Sequence, residues 1–358
     1  MDDMATTDDP TTTPDAAFLA MLRGGLPRQG FFGPPVLVGV SGGADSVGLL
    51  LGLQALAGGG TPPGRLVVAH GRHDLREEAG ADAAFVVALA GSLGLPCVVG
   101  DLRVRDRDGV RGEGVEARAR RIRYRFLAET ALAHGARHVA VAHTADDQAE
   151  TILHRALRGT GLAGLGGMRP VRELVPGVAL VRPLITVPRA AVRGYLAARA
   201  QEWCEDATNA DVRHARSFLR HEILPRCAAG PYPAAPAALA RLGRQAAGAA
   251  AALASAADAL LDAHATRGGG GAVVLAADRL ARLDPQLVAE VFVAVWRRED
   301  WPQRDMTARH YERLAGLAAT AADPPATAAP IELPGGVRAA LVSGGRLELS
   351  PPVQARAR

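Results

Sequence analysis

The sequence contains no lysine, and all 41 of its basic residues are arginine. That absence excludes the Walker loop GxxxxGK[ST], and with it Schiff-base and lysine-nucleophile chemistry. Asparagine occurs once, at Asn209, while alanine is abundant, a pattern that fits a GC-rich coding bias. The bias explains the missing lysines, but the placement of the arginines stays informative. Cysteine is scarce as well: Cys97, Cys204 and Cys227 are scattered, with no CxxC pair. This disfavours a zinc site, an iron–sulfur cluster or a disulfide scaffold, and fits a reducing compartment. The acidic, threonine-rich N-terminus lacks the basic and apolar regions of a signal peptide. No apolar run in the sequence reaches membrane-spanning length. The expectation is a soluble cytoplasmic protein with no membrane partner.

What is present suffices for a sizeable core. With 358 residues, 48% of them hydrophobic and 22% charged, the chain should form two or three domains. A net charge of +4 and a pI near 9.4 allow a polyanionic partner, and arginine forks suit phosphates and base edges. The organising stretch is VLVGVSGGADSVGLLLGL, Val36 to Leu53. It reads as a buried strand, a tight glycine turn and the start of an apolar helix. Unpaired N–H groups and the positive end of the helix dipole then converge on one spot, where an anion fits. Ser41 and Ser46 can add hydroxyl donors. The run lacks GxGxxG and instead resembles the pyrophosphate loop of the ATP pyrophosphatases, enzymes that cut ATP between the α and β phosphates.

Strand and helix signals alternate from there. Strands are expected at 65–70, 96–101 and 138–143, with helices at 77–93, 115–134 and 146–158. The alternation predicts an α/β, Rossmann-like parallel sheet with helices on both faces. Ligands of such a sheet sit at the carboxyl ends of the strands, here Ser41, His70, Asp101 and His143. Residues 1–15 are expected as a disordered tail and 16–229 as the catalytic domain, with a helical extension from about 188. The stretch Ala229–Ala238 breaks the pattern. Residues 238–350 should form a smaller, mainly helical domain with helices at 238–265, 278–298 and 307–319, ending in a hairpin at 331–349.

Four further runs carry chemistry. In AHTADDQAET, Ala142 to Thr151, Thr144 can cap a helix, while Asp146 and Asp147 beside His143 form a candidate Mg²⁺ or ammonium site. AHGRHDLR, Ala69 to Arg76, offers polar contacts to a nucleotide. Nine arginines against four acids lie between Arg103 and Arg125. There Glu116, Arg120 and Arg123 share a helix face, and Tyr124 is placed to anchor the core. In WCEDATNADVRHARSFLRHEILP, Arg213, Arg216 and Arg220 recur at helical spacing, an arginine stripe suited to a polyanion.

Taken in order, SGGADS, HxxHxLR, ExxARxxRY, AHxxDDQAET, RGTGLxGLGGM (Arg158 to Met168) and EDxTNxD resemble the tRNA(Ile)-lysidine synthases from Val36 to Pro225. From Ala238 to the LPGGV hairpin the similarity is weaker. Thr144 stands where a second histidine is common, and Ser217 where an asparagine is usual. The resemblance implies ATP, Mg²⁺, free lysine and the CAU-anticodon isoleucine tRNA as partners, and it allows a homodimer. The wobble cytidine would be adenylated at O2 with release of pyrophosphate, and the lysine ε-amine would then displace AMP. Ser41, Gly42, Gly43, Ala44, Asp45, Ser46 and His70 would bind ATP, and Asp45, Asp146 and Asp147 the metal. Asp45, His143, Asp147, Arg120, Arg123 and Arg216 would act in catalysis, and Arg213, Arg216 and Arg220 would contact tRNA. A tRNA-thiolating pyrophosphatase, a small-molecule ATP-pyrophosphatase ligase and a non-enzymatic ATP sensor remain the alternatives.

Overall fold

A computed structural model describes residues 13–58, 65–73, 79–104, 114–205, 215–322 and 329–351. The chain forms two compact units, Met1–Arg244 and Gln245–Arg358.

In the first unit, α1 (Pro14–Gly24) precedes β1 (Val36–Gly39), α2 (Ala44–Ala57), β2 (Leu66–His73), α3 (Ala79–Ser92) and β3 (Cys97–Leu102). Then come α4 (Val115–Ala133), β4 (His138–Ala140), α5 (Ala145–Leu157), α6 (Leu162–Leu165), β5 (Val171–Val175), β6 (Val178–Val181) and α7 (Arg189–Ala197). The sheet order is β3-β2-β1-β4-β6-β5, parallel throughout except for β5, which pairs antiparallel with β6 at one edge. The alternation of β1 explains why both faces are covered. Val36 and Val38 join Phe18, Leu49, Leu50 and Val192 in one apolar cluster, while Leu37 joins Tyr124, Leu127 and Val139 in the other. The chain turns one way from β1 to β2 and the other way to β4. That reversal opens a crevice at the carboxyl ends of β1 and β4, where this class of sheet binds ligands.

Glycine sets one helix contact that matters for the site. A Cβ at Gly48 would lie 2.4 Å from Val192 Cγ1. Its absence lets α7 press onto α2, three residues beyond Asp45 and three beyond Arg189.

The run expected to place Arg213, Arg216 and Arg220 at helical spacing is described only from Ala215. There α8 (Ala215–Phe218) passes into a π-helical turn, Leu219–Ile223, and then into α9 (Leu224–Ala229). Pro236 falls in the first turn of α10 (Ala235–His264), a position proline tolerates, so this stretch starts a helix. The two units divide inside α10.

The second unit contains the remainder of α10, β7 (Ala265–Arg267), β8 (Val273–Leu275), α11 (Ala277–Leu280), α12 (Pro285–Arg298), α13 (Ala308–Ala319), β9 (Ile331–Leu333), β10 (Val337–Val342) and β11 (Arg346–Ser350). The single helix expected at 278–298 is two, because the Asp284 side chain caps α12 through Gln286 N–H (2.8 Å) with Pro285 following it. The terminal hairpin, β10 with β11, belongs to a five-stranded antiparallel sheet, β7-β8-β11-β10-β9. Its other strands span three residues each, too few for alternation to register. Trp296 anchors the core, edge-on to Trp301 and Tyr311 at 5.0 and 5.9 Å. The absence of membrane-length apolar runs needs one correction. By length and composition alone, α10 qualifies, at 30 residues and a hydropathy of 1.3. Alanine supplies most of that value. In the second unit the helix buries Ala257 and Leu261, while Asp258 and Asp262 pair with Arg297 and Arg298.

Candidate active site

The loop after β1 is held by its own hydroxyls. Ser46 Oγ donates to the Gly43 carbonyl at 2.8 Å and accepts from Ser41 N–H at 3.1 Å, and the Ser41 and Ser46 hydroxyls lie 3.1 Å apart. Gly43 starts α2 with no side-chain cap, so the helix N-terminus keeps donors for an anion. Gly42 has φ +96°, a left-handed conformation in which a Cβ would also sit 3.3 Å from Cys204 Sγ. Cys204 N–H donates to Gly42 O at 3.0 Å, bracing the loop from behind. Burial pushes the Cys204 thiol up to about 11, which makes it a packing group rather than a nucleophile.

His70 departs from its expected place at the nucleotide. It is buried, with Nδ1 2.9 Å from the Val40 carbonyl, and so supports the strand end from which Ser41 leaves. The HxxHxLR run beyond His73, including Arg76, lies outside the described residues.

At the neighbouring strand end, Thr144 and Asp147 form a capping box for α5. Asp147 Oδ2 accepts from Thr144 N–H at 2.8 Å and from the Thr144 hydroxyl at 3.0 Å. The fully buried Thr144 therefore aims this carboxylate. Asp147 Oδ1 accepts from Arg189 Nη2 and Arg220 Nη2, both at 2.9 Å. Arg189 Nε reaches back to Asp45 Oδ2 at 3.1 Å, and its backbone N–H donates to Asp146 Oδ2 at 2.8 Å. Arg220 also forks onto Glu150, Nε to Oε1 at 2.6 Å and Nη2 to Oε2 at 2.9 Å. The result is an acidic wall of Asp45, Asp146, Asp147 and Glu150, joined by two guanidiniums. Burial pushes the Asp45 and Glu150 carboxyls up, against the pull of Arg189 and Arg220 respectively.

Opposite lies a basic wall. Arg120, Arg123 and Arg172 stand over the Tyr124 ring at 4.9, 5.3 and 5.0 Å from its centroid. Arg182, which directly follows β6, is 2% exposed and donates through Nη1 to Arg169 O at 2.7 Å. His143 feels both groups, Arg182, Arg123 and Arg120 from one and Asp147 from the other. Burial first, then the charge of Arg182, pulls its imidazole well below the ordinary value despite the opposing pull of Asp147, so it is neutral. Its Nδ1 has no hydrogen-bond partner.

The sheet thus brings together the SGGADS loop, Asp45, Asp146, Asp147 and His143, with Arg120 and Arg123 across from them. Arg213 lies outside the described residues. Arg216 is exposed, and its charge is felt at Arg120. Arg220 does not continue the exposed stripe but turns into Asp147 and Glu150. The π-helical turn changes the angular spacing, so i and i+4 no longer share one face there. Sequence reasoning missed Glu150, Arg182 and Arg189. Glu150 stands three residues after Asp147, on the same helix face, and Arg182 ends a buried strand, so both carried a signal. Arg189 carried none, because its partners lie 42 and 144 residues away.

A metal can be weighed against these groups. Among the described residues no three His, Cys, Asp or Glu side chains surround one point. Asp45 Oδ1, however, is a buried acceptor without a partner. That fits Mg²⁺, which takes one or two carboxylates and completes its shell with phosphate oxygens.

Comparison with known proteins gives the family. Residues 29–227 match the PP-loop domain family. A tRNA(Ile)-lysidine synthase of Rhodopirellula baltica is 37% identical over 314 residues, 78% of each chain. One from Solibacter usitatus is 39% identical over 80% of this chain, which spans 62% of that relative's length. Among solved structures, the U34-tRNA thiolase NcsA from Methanococcus maripaludis, described with its [4Fe-4S] cluster, superposes with a TM-score of 0.51 at 17% identity. The superposition covers 64% of this chain and 78% of that one, a likeness of fold alone.

Proposed function

This chain belongs to the tRNA(Ile)-lysidine synthase family of PP-loop proteins, and from that premise we propose a role for each wall of its crevice. The reaction joins lysine to C2 of the wobble cytidine in the CAU anticodon, using ATP and releasing AMP and pyrophosphate. Cytosine O2 is a poor leaving group until it carries the AMP phosphate. O2 attacks the α-phosphorus, pyrophosphate departs, and the ε-amine of lysine then attacks C2 and expels AMP.

The backbone of Gly42, Gly43 and Ala44, with the Ser41 and Ser46 hydroxyls, holds the pyrophosphate end of ATP. Asp45, with Asp146 or Asp147, holds Mg²⁺, which neutralises phosphate charge when bound. Asp147 and Glu150 receive the lysine ammonium, which takes over ionic contacts now made by Arg189 and Arg220. A neutral His143 beside them adds no positive charge that would repel the ammonium. Arg120, Arg123 and Arg216 offset the charge on the adenylate. The described part of the arginine helix and the second unit grip the tRNA, whose anticodon base must be splayed from its stack to reach the crevice. These contacts, a cytoplasmic setting and a homodimer belong to the same reading.

One observation carries the proposal. An anion cradle and a carboxylate cluster open from adjacent strand ends and are tied by one arginine, Arg189, through Asp45 and Asp147. A phosphate donor and an amine acceptor therefore meet in one crevice. ATP–pyrophosphate exchange with and without the tRNA tests it, followed by incorporation of labelled lysine. Exchange stimulated by tRNA, with lysine retained on the RNA, is the expected outcome. Exchange with a small-molecule acid and no RNA would overturn it.

A further inference from the structure

The basic wall includes two arginines, Arg172 and Arg182, to which the adenylation step gives no role. Arg182 is 2% exposed, yet its Nε has no hydrogen-bond partner, and neither does Arg123 Nε, while the Arg182 guanidinium meets the hydroxyl of the 8% exposed Tyr124. Among the described residues Arg172 donates to the backbone carbonyl of Glu173, at 3.0 Å. Among the described residues none of Arg120, Arg123, Arg172 and Arg182 forms an ion pair with a carboxylate. Buried guanidiniums without counter-charge are costly, and like charges crowded on one ring repel, so the group needs an anion. The Tyr124 ring offers the guanidiniums its π face, which keeps them together without neutralising them. The charges of Arg120, Arg123 and Arg182 hold the Tyr124 phenol below its ordinary value even though burial pushes it the other way.

Position separates this group from the loop that cradles ATP. The SGGADS loop leaves β1, whereas Arg182 leaves β6, with β4 between them. Two strand spacings make about 10 Å, more than the width of one phosphate group. Arg120 and Arg123 reach the same place from α4, and Arg172 from β5.

We infer that Arg172, over the Tyr124 ring, and Arg182, at its hydroxyl, held beside the Arg120 and Arg123 that face the adenylate, form a second phosphate site, separate from the Ser41–Ser46 cradle, which seats a phosphodiester of the RNA strand next to the target base. This rests on the function proposed above only for the source of the phosphate. The planar, fixed fork of a guanidinium suits the two free oxygens of a diester. A splayed-out base needs its flanking backbone held in this way, because stacking no longer fixes it.

The test uses the full chain with Arg172→Gln, Arg182→Gln, Tyr124→Phe and Tyr124→Leu, each checked by thermal melting. Arg172 is half-buried on an edge strand, so Arg172→Gln keeps the test alive if Arg182→Gln does not fold. Affinity for the CAU-anticodon tRNA should fall roughly tenfold in Arg172→Gln, and its salt slope should shrink by about one, with ATP affinity unchanged. Tyr124→Leu should weaken tRNA binding in the same way and Tyr124→Phe by less, since phenylalanine keeps the ring under Arg172 and loses only the hydroxyl at Arg182. If tRNA affinity holds but single-turnover release of pyrophosphate slows tenfold or more, the seated phosphate is the one being transferred, and the assignment to the RNA strand is overturned. Calorimetry with inorganic phosphate tests the site independently of RNA. The wild type should bind at two sites, with Ser46→Ala removing one and Arg172→Gln the other. If folded Arg172→Gln and Tyr124→Leu keep both phosphate sites, the wild-type salt slope and the wild-type pyrophosphate release, the inference is overturned. A wild type that binds phosphate at both sites but never tRNA would refute the function and not the site.

Discussion

Replacing Arg189 with glutamine probes the acidic wall where its parts depend on one another. The substitution removes the contacts of 3.1 Å to Asp45 and 2.9 Å to Asp147, while the backbone N–H to Asp146 is retained. Each charge-assisted bond contributes about 1.5–3 kcal/mol, and the lower end applies here because the groups keep some solvent contact. A loss of about 3 kcal/mol at neutral pH would lower Tm by roughly 6–12 °C in a unit of this size. The sign with pH follows from Asp45 and Glu150, whose carboxyls burial has already raised. A raised carboxyl contributes stability below its unfolded value, about 4, and that stability is lost as pH rises through the folded value. Without Arg189 the Asp45 carboxylate becomes costlier still, so the penalty should be greatest near pH 7 and shrink towards pH 4. Paired melting curves of wild type and variant at several pH values measure this directly. A penalty below about 2 °C at neutral pH, or one that does not change with pH, refutes the idea that Arg189 is the counter-charge of this wall.

The loop and its neighbours yield further expectations. Gly42→Ala forces a side chain into φ +96° and against Cys204 Sγ, so stability should fall by about 1–2 kcal/mol and the KM for ATP in pyrophosphate exchange should rise at least tenfold. An unchanged KM would show that the loop does not hold the phosphates. Thr144→Ala removes the cap hydroxyl, which should cost about 1 kcal/mol in denaturant titration and also slow lysine transfer, because Asp147 loses its aim. A stability loss with a normal transfer rate would separate the cap from the chemistry. His143 has a depressed pKa in the folded state, so its contribution to stability is complete above about pH 6.5 and is lost as pH falls below it. His143→Leu should lack that part of the acid destabilisation, and a variant whose stability follows the wild-type pH curve would argue against a buried neutral imidazole.

Much of this site was legible because it is local. SGGADS follows its strand directly, and Thr144 to Asp147 is a capping signal at the next strand end, so pattern and spacing carry both. What stayed hidden is long-range. Arg189 sits at an ordinary helix start, and only the close passage of α7 over Gly48 brings it to Asp45. Arg220 matched a helical stripe until the π-helical turn rotated it to Glu150. His70 was expected to end its strand, but β2 runs on to His73, and the His70 ring lies against Val40 O. In the second unit, strands of three residues are too short for alternation, so a five-stranded sheet read as one hairpin.

The central claim is that this crevice transfers a lysine to the anticodon base after AMP has activated it. Mass spectrometry of the wobble nucleoside, after reaction with ATP and isotopically labelled lysine, tests it most directly. The account predicts a cytidine heavier by one lysine less water, carrying the label, with one AMP and one pyrophosphate formed per nucleoside changed. An unchanged wobble cytidine beside turnover of ATP, or a nucleoside that has gained sulfur, would contradict it.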